Sequence, residues 1–246
     1  MDRYQEALRL NNQAIHLVAT TPAVSDVDTS SAVQLLSKAV SILKQDVLKD
    51  QLAQNTNGNT ATAPTIGFDT VNLDPSASHQ YTHMKGESCD GCDDCFQYAI
   101  VFTTAASETS LDVRVITSMV VFNLALIYHR QAIKMKLATN TLTVTKAYRL
   151  YGLALRIFED LSIEMNHGSI FVMLASMNNQ RSMIRQDSAG HVQVNHQAFV
   201  QRIIATTRQT GVSIASDYVF EQSPELQGLL FNVVLGMQES KVAPAA

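Results

Sequence analysis

The chain has 246 residues, of which 46% are hydrophobic, and this is enough to bury the core of one large domain or two small ones. Only 16% of the residues are charged and the formal net charge is −4, so the overall charge gives no reason to expect binding to nucleic acid or to an anionic membrane. Tryptophan is absent from the sequence and there are only 10 glycines, which favours helices over a turn-rich β fold.

Residues 1–50 predict a first helical hairpin. Apolar residues recur at helical spacing over 3–19, and Pro22 with the polar run 25–31 ends this pattern. A second helix is predicted from about residue 31 to residue 48, with an N-cap among residues 28–31.

The composition changes over 51–110, where we predict a flexible insert with short strands. The run 55–64 is polar, small and non-periodic, which is typical of a mobile linker. The segments 66–73 and 96–102 have the character of strands, and the second is rich in β-branched and aromatic residues. A similar apolar run at 229–235, in a C-terminal extension over 211–246, predicts one more strand, although a short buried helix is the alternative.

Residues 111–210 predict a second and a third helical hairpin. The second consists of a helix over 112–135, a loop over 137–143 and a helix over 144–161. The third pairs a helix over 168–185 with one over 195–207. The predicted fold class is therefore mainly α, with a small β element beside the helices.

One spacing occurs twice in the second helices of these hairpins. A small, a large and a small residue stand at positions i, i+4 and i+7, which form one stripe of a helix. Small residues let two helix backbones approach closely, and the large one fills the space beside them. The two triplets are Ala32, Leu36 and Ala39 in the first hairpin, and Ala147, Tyr151 and Ala154 in the second.

Together with Ala125 and Tyr128 on the preceding helix, these triplets resemble the pattern of the tetratricopeptide repeat (TPR) family. The resemblance implies about three antiparallel helix hairpins that form an array and hold a protein segment in a concave groove. The arrangement also looks like a group of diatom TPR-like proteins that have no assigned biochemical function. The stretches that carry this second likeness are 122–129, 146–155, 177–179, 231–235 and 243–246.

The resemblance places the groove on the first helix of each hairpin, where asparagines stand at equivalent positions. Asn12 and Asn123 lie two residues before a small residue, and Asn179 holds the aligned place in the third hairpin, where Arg181 stands at the small position. A carboxamide both donates and accepts hydrogen bonds, so these side chains could hold a peptide backbone without selecting its sequence. The alternative is that they satisfy neighbouring helix ends. The remaining predicted groove residues are Phe122, Leu126 and His129, which would form pockets, and Arg130 and Arg185, which would favour an acidic ligand.

The cysteine cluster is the candidate for a metal site. Cys89, Cys92 and Cys95, with His83 upstream, have a spacing that could bind zinc. The separate second half of a zinc-binding pair is missing from the sequence, and an exposed acidic loop with reduced thiols is the simpler interpretation. We therefore predict neither a metal nor any other cofactor.

The second hairpin is basic, because residues 129–156 contain six Lys and Arg residues and neither Asp nor Glu: Arg130, Lys134, Lys136, Lys146, Arg149 and Arg156. Such a surface could contact phosphates or an acidic partner, although a solvated helix face is the simpler interpretation and nucleic acid is not the expected ligand. The alternative function is accordingly a nucleic-acid-binding or metal-regulated binding protein.

The sequence contains none of the common catalytic motifs, such as G-x-S-x-G, a phosphate-binding loop or H-E-x-x-H, and we do not expect an enzyme. We also find neither a secretory signal nor an apolar run of membrane-spanning length. We therefore expect an intracellular protein, cytoplasmic or nuclear, that acts as a non-enzymatic protein–protein interaction module without a membrane partner.

Overall fold

Five α-helices and a two-stranded antiparallel sheet make up the described part of the chain. The computed structural model describes residues 3–20, 26–54, 66–73, 97–103, 112–135, 141–159 and 167–185, together with the single positions Gln201 and Ala205. In chain order the elements are α1 (Arg3–Ala19), α2 (Asp26–Gln54), β1 (Gly67–Asn72), β2 (Tyr98–Thr103), α3 (Val113–Lys134), α4 (Leu142–Ile157) and α5 (His167–Arg185). A mainly helical fold with a small β element is thus confirmed.

The ends of two helices differ from the prediction. α2 begins at Asp26, so the expected N-cap at 28–31 is wrong. Asp28 instead lies in the first turn, where a negative charge is favourable. α4 begins at Leu142, inside the predicted loop 137–143, because the Thr141 hydroxyl accepts a hydrogen bond from the backbone N–H of Val144.

Part of the prediction lies outside the described residues. This applies to the strand at 229–235, to the whole extension 211–246, and to the helix at 195–207 apart from Gln201 and Ala205, which are both helical. The strands predicted at 66–73 and 96–102 are confirmed as β1 and β2.

The helices pack in chain order. α1 contacts α2, α2 contacts α3, α3 contacts α4, and α4 contacts α5, while α3 also contacts α5 and β2. α3 is therefore surrounded by other elements, which explains why it is buried on nearly all sides and lacks a polar face. Among the described helices, none is both long and apolar enough to cross a membrane.

Both small–large–small triplets lie in the core. All six side chains are fully buried: Ala32, Leu36, Ala39, Ala147, Tyr151 and Ala154. At Ala154 the close approach of α3 and α4 lets the Ser118 hydroxyl donate a hydrogen bond to the Ala154 carbonyl oxygen over 2.9 Å. The stripe is thus a packing surface in both hairpins.

The sheet contacts three helices. β1 and β2 pair antiparallel, with Phe68 opposite Phe102 and Thr70 opposite Ile100. β2 packs against α1 and α3. The Phe68 ring reaches α5, where its Cε1 would lie 2.9 Å from a Cβ atom on Gly168, and the Met119 methyl group fills the same space. Glycine at this position therefore makes room for β1 beside α5.

The packing at Ala154 generates a first prediction. We expect Ala154→Leu to lower the free energy of unfolding by about 1–3 kcal/mol, because the larger side chain overpacks the contact between α3 and α4. Thermal denaturation would show this as a loss of roughly 2–4 °C per kcal/mol. The control is Leu153→Ala on the same helix, since Leu153 is 46% exposed and its truncation leaves the contact intact. An unchanged melting temperature in Ala154→Leu would contradict the packing role.

Candidate functional site

The second edge of β2 faces helices instead of another strand. In an antiparallel pair, the backbone groups of alternate residues point to opposite edges. The N–H of Leu73 donates to the carbonyl oxygen of Gln97 over 3.0 Å, so the odd-numbered residues of this strand face β1. The N–H and C=O groups of Ile100 and Phe102 consequently point the other way, towards α1 and α3.

Asn123 on α3 bonds both backbone groups of Ile100. Its Nδ2 donates to the Ile100 carbonyl oxygen over 2.7 Å, and its Oδ1 accepts from the Ile100 N–H over 2.8 Å. Asn123 is fully buried. The carboxamide therefore replaces the backbone of the neighbouring strand that a wider sheet would supply.

Asn12 on α1 bonds Phe102 in the same way. Its Nδ2 donates to the Phe102 carbonyl oxygen over 2.6 Å, and its Oδ1 accepts from the Phe102 N–H over 2.8 Å. Asn12 is half-buried. Two carboxamides on two different helices thus hold alternate residues of one extended strand.

Asn11 joins these two side chains into one network. Its Nδ2 donates to the Ile100 carbonyl oxygen over 3.0 Å and lies 3.3 Å from Asn12 Oδ1, while its Oδ1 accepts from Asn123 Nδ2 over 2.9 Å. We call Asn11, Asn12 and Asn123 the asparagine clamp. Asn11 was not predicted to bind a backbone. The available signal was its position between Leu10 and Ala14, where a polar residue interrupts the apolar face of α1.

The clamp recognises backbone alone. The bonds from the clamp to Ile100 and Phe102 end on backbone N–H and C=O groups, so the side chains of the strand do not determine them. The clamp is also uncharged, and it can be buried without the cost of desolvating an ion. Chemically, it can hold an extended stretch of polypeptide of varied sequence.

Asn179, the third predicted amide, lies in a second network. Its Nδ2 donates to the hydroxyl of Tyr151 over 2.9 Å, and Nδ1 of His129 lies 3.4 Å from the same hydroxyl oxygen. Tyr151 on α4 therefore connects side chains of α3 and α5. The structure brings Asn12 and Asn123 together on β2 and uses Asn179 to join helices.

The predicted pocket residues Phe122, Leu126 and His129 lie in the core. The Phe122 and Leu126 side chains are fully buried, and His129 is 3% exposed. The Phe122 ring packs against Tyr151 and Phe171, with centroids 5.8 and 6.2 Å apart, and His129 packs edge-on against Tyr151 at 5.9 Å. We call Phe122, His129, Tyr151 and Phe171 the aromatic cluster. In this conformation none of the three predicted pocket residues is accessible to a ligand.

The remaining candidates are placed as follows. Arg130 is half-buried on α3, and the side chain of Arg185 lies outside the described residues. Cys89, Cys92, Cys95 and His83 also fall outside them, and within the described ranges no three potential metal ligands come together. The exposed side of α4 carries the basic residues Lys146, Arg149 and Arg156 together with Leu142 and Leu153. The Lys146 ammonium group lies 5.5 Å from the Tyr128 ring centre.

We expect substitutions of Asn123 to destabilise the protein. Asn123→Ala leaves the buried N–H of Ile100 without its acceptor and should cost about 1–3 kcal/mol in urea unfolding. Asn123→Asp should cost more at neutral pH, because its second carboxylate oxygen would face the oxygens of Ile100 and Asn11. Asn12→Ala is the matched comparison and should cost less, since water can reach a half-buried site. Wild-type stability in Asn123→Asp would contradict the hydrogen-bond assignment.

Burial of His129 predicts a stability loss in acid. Desolvation lowers the pKa of this imidazole from 6.5 to about 4, so the unfolded chain binds the proton more readily than the folded protein. Neutral His129 makes its full contribution to the free energy of unfolding above about pH 6.5. This contribution is lost as the pH falls towards 4, and the loss amounts to up to about 3 kcal/mol. Urea unfolding between pH 7.5 and 4.5 should therefore show a steeper loss in wild type than in His129→Gln. Parallel plots of unfolding free energy against pH for the two proteins would contradict the burial of a neutral His129.

Comparison with known proteins finds no matching family model, no matching curated protein and no matching solved structure. A function for this chain therefore has to be inferred from its own geometry.

Proposed function

We propose that this protein is a non-enzymatic protein–protein interaction module that holds an extended protein segment in the groove of a TPR-like helical array. The observation that carries the proposal is the asparagine clamp. Asn12 and Asn123 come from the first helices of two hairpins, and each bonds both backbone groups of one residue of an extended strand.

The order of packing supports the TPR-like part of the proposal. Each described helix contacts the next one in the chain, and α3 contacts α5, the first helix of the following hairpin. The small–large–small triplets are buried on the second helices α2 and α4, where the family pattern has its packing residues. The clamp lies on α1 and α3, which correspond to the groove-lining helices.

The chemistry of the clamp favours an extended ligand over a helical one. In a helix the backbone N–H and C=O groups are bonded within the segment, so they are not available to external carboxamides. An extended segment presents both groups of every second residue along one edge. The clamp also carries no charge, so it does not depend on a terminal carboxylate, a phosphate group or an acidic side chain. We therefore expect it to bind internal stretches of a partner.

Selection from a peptide library tests the proposal. The intact chain is used to select from displayed random 12-residue peptides. Because Asn12 already bonds Phe102 of β2, the enriched peptides are then titrated against Phe102→Ala, in which β2 is held less tightly, and against the double variant with Asn12→Ala. Loss of the Asn12 carboxamide removes two backbone hydrogen bonds, each worth about 0.5–1.5 kcal/mol net, so we expect at least roughly fivefold weaker binding.

The matched control is Gln13→Ala. Gln13 is an exposed amide on the same helix and accepts a hydrogen bond from Arg9, so its loss should leave peptide binding unchanged. Peptides that bind the double variant as tightly as Phe102→Ala alone, or a selection that enriches no peptide, would contradict the proposed function.

A further inference from the structure

The clamp holds a strand of its own chain, and this has a consequence for the partner. We infer that β2 is a displaceable internal ligand, and that the partner is a protein segment that takes the place of β2 between the clamp and β1. The inference rests on the proposed function, because it assumes that the clamp serves binding. It adds the chemistry of the segment and the competition that controls access.

The connections of β2 do not force it into the clamp. Strands of a tight hairpin are joined by about two to five residues, which fix their register. β1 and β2 are joined by the much longer stretch 74–96, so a turn of this kind does not impose their pairing. A two-stranded sheet is also marginal by itself, and its placement depends on the contacts of β2 with α1 and α3.

The helix that follows β2 has its own start signal. Asp112 caps α3, since its Oδ1 accepts a hydrogen bond from the backbone N–H of Arg114 over 2.7 Å. The residues 104–111 separate this cap from the end of β2. β2 can therefore leave the clamp without removing the interaction that begins α3.

Side-chain burial along β2 defines the segment that would replace it. Ala99 and Ile100 are fully buried and Phe102 is 6% exposed, whereas Val101 is half-buried. A competing segment should thus have a small residue, a branched apolar residue, a variable residue and an aromatic residue in this order. Proline is excluded at the positions of Ile100 and Phe102, because the N–H groups there donate to the clamp.

Competition with β2 gives a signature that a purely structural strand would not give. A segment tethered in the same chain has an effective concentration of the order of millimolar, so it opposes binding from solution. A substitution that weakens β2 without touching the clamp should therefore strengthen binding of an external segment. If β2 were a fixed part of the core, the same substitution would only destabilise the protein.

The experiment uses a fluorescent peptide copy of residues 96–104 with a lysine tail for solubility. We expect full-length Phe102→Ala to bind this probe at least about tenfold more tightly than wild type, because truncation weakens the internal competitor. Asn12→Ala removes the same two hydrogen bonds from β2 and from the probe, so its effect is measured in Phe102→Ala, where adding it should weaken probe binding at least about fivefold. A second probe, N-methylated at the positions of Ile100 and Phe102, lacks the two donors and should not bind.

Amide hydrogen exchange of the wild-type protein keeps the test decisive if Phe102→Ala does not fold. The N–H groups of Ile100 and Phe102 should exchange at least about tenfold faster than those of Leu124 and Ala125 in α3, because β2 opens locally. Equal exchange rates in β2 and α3, or equal probe binding by wild type and a folded Phe102→Ala, would overturn the inference.

These outcomes separate the inference from the proposed function. Binding of library peptides that depends on Asn12 but is unaffected by Phe102→Ala would leave the binding function standing and reject displacement of β2. Probe binding that is equal in Phe102→Ala and in the double variant with Asn12→Ala would count against the clamp as a binding site and hence against both.

Discussion

The packing of α1 and α3 against the sheet depends on one constraint, which is the buried second edge of β2. An edge strand carries N–H and C=O groups that need partners, and leaving them unpaired away from water is costly. Helices cannot pair with such an edge through their own backbones, because these are bonded internally. The side chains of Asn11, Asn12 and Asn123 supply the missing groups, and α1 and α3 are thereby connected through a strand from the insert between the hairpins.

The small–large–small triplet occurs in both hairpins, but its large residue differs in chemistry between them. Leu36 in α2 and Tyr151 in α4 are both fully buried, so both fill space between helices. Tyr151 also carries a hydroxyl, which accepts a hydrogen bond from Asn179 of α5 and lies near His129 of α3. Its ring belongs to the aromatic cluster as well. α4 is therefore fixed to α3 and α5 by directional contacts as well as by volume.

The sequence predicted the helices and the two strands because each has a local signal: a 3.6-residue period, a long apolar run in the case of α3, or a short run of β-branched and aromatic residues in the strands. The resemblance to the TPR pattern, together with the chemistry of a carboxamide, indicated Asn12 and Asn123 as amides able to hold a backbone. It did not show that the backbone would be that of Ile100 and Phe102, because hydropathy and spacing do not specify which distant segments pair. Phe122, Leu126 and His129 were predicted to line pockets from their helical positions alone. The apolar character of α3 on all sides was the signal that they would be buried.

The spacing between Ile100 and Phe102 limits how well the carboxamides of the clamp alone can fix the position of β2 along its own axis. Ile100 and Phe102 are separated by one repeat of an extended chain, roughly 6.6–6.8 Å. A strand moved along its axis by one residue would turn its bonding edge away from α1 and α3. A strand moved by two residues would offer Asn12 and Asn123 the same backbone groups again. Translation by a full repeat is therefore opposed by the different volumes of isoleucine and phenylalanine, so side-chain shape, and not hydrogen bonding, defines a single alignment.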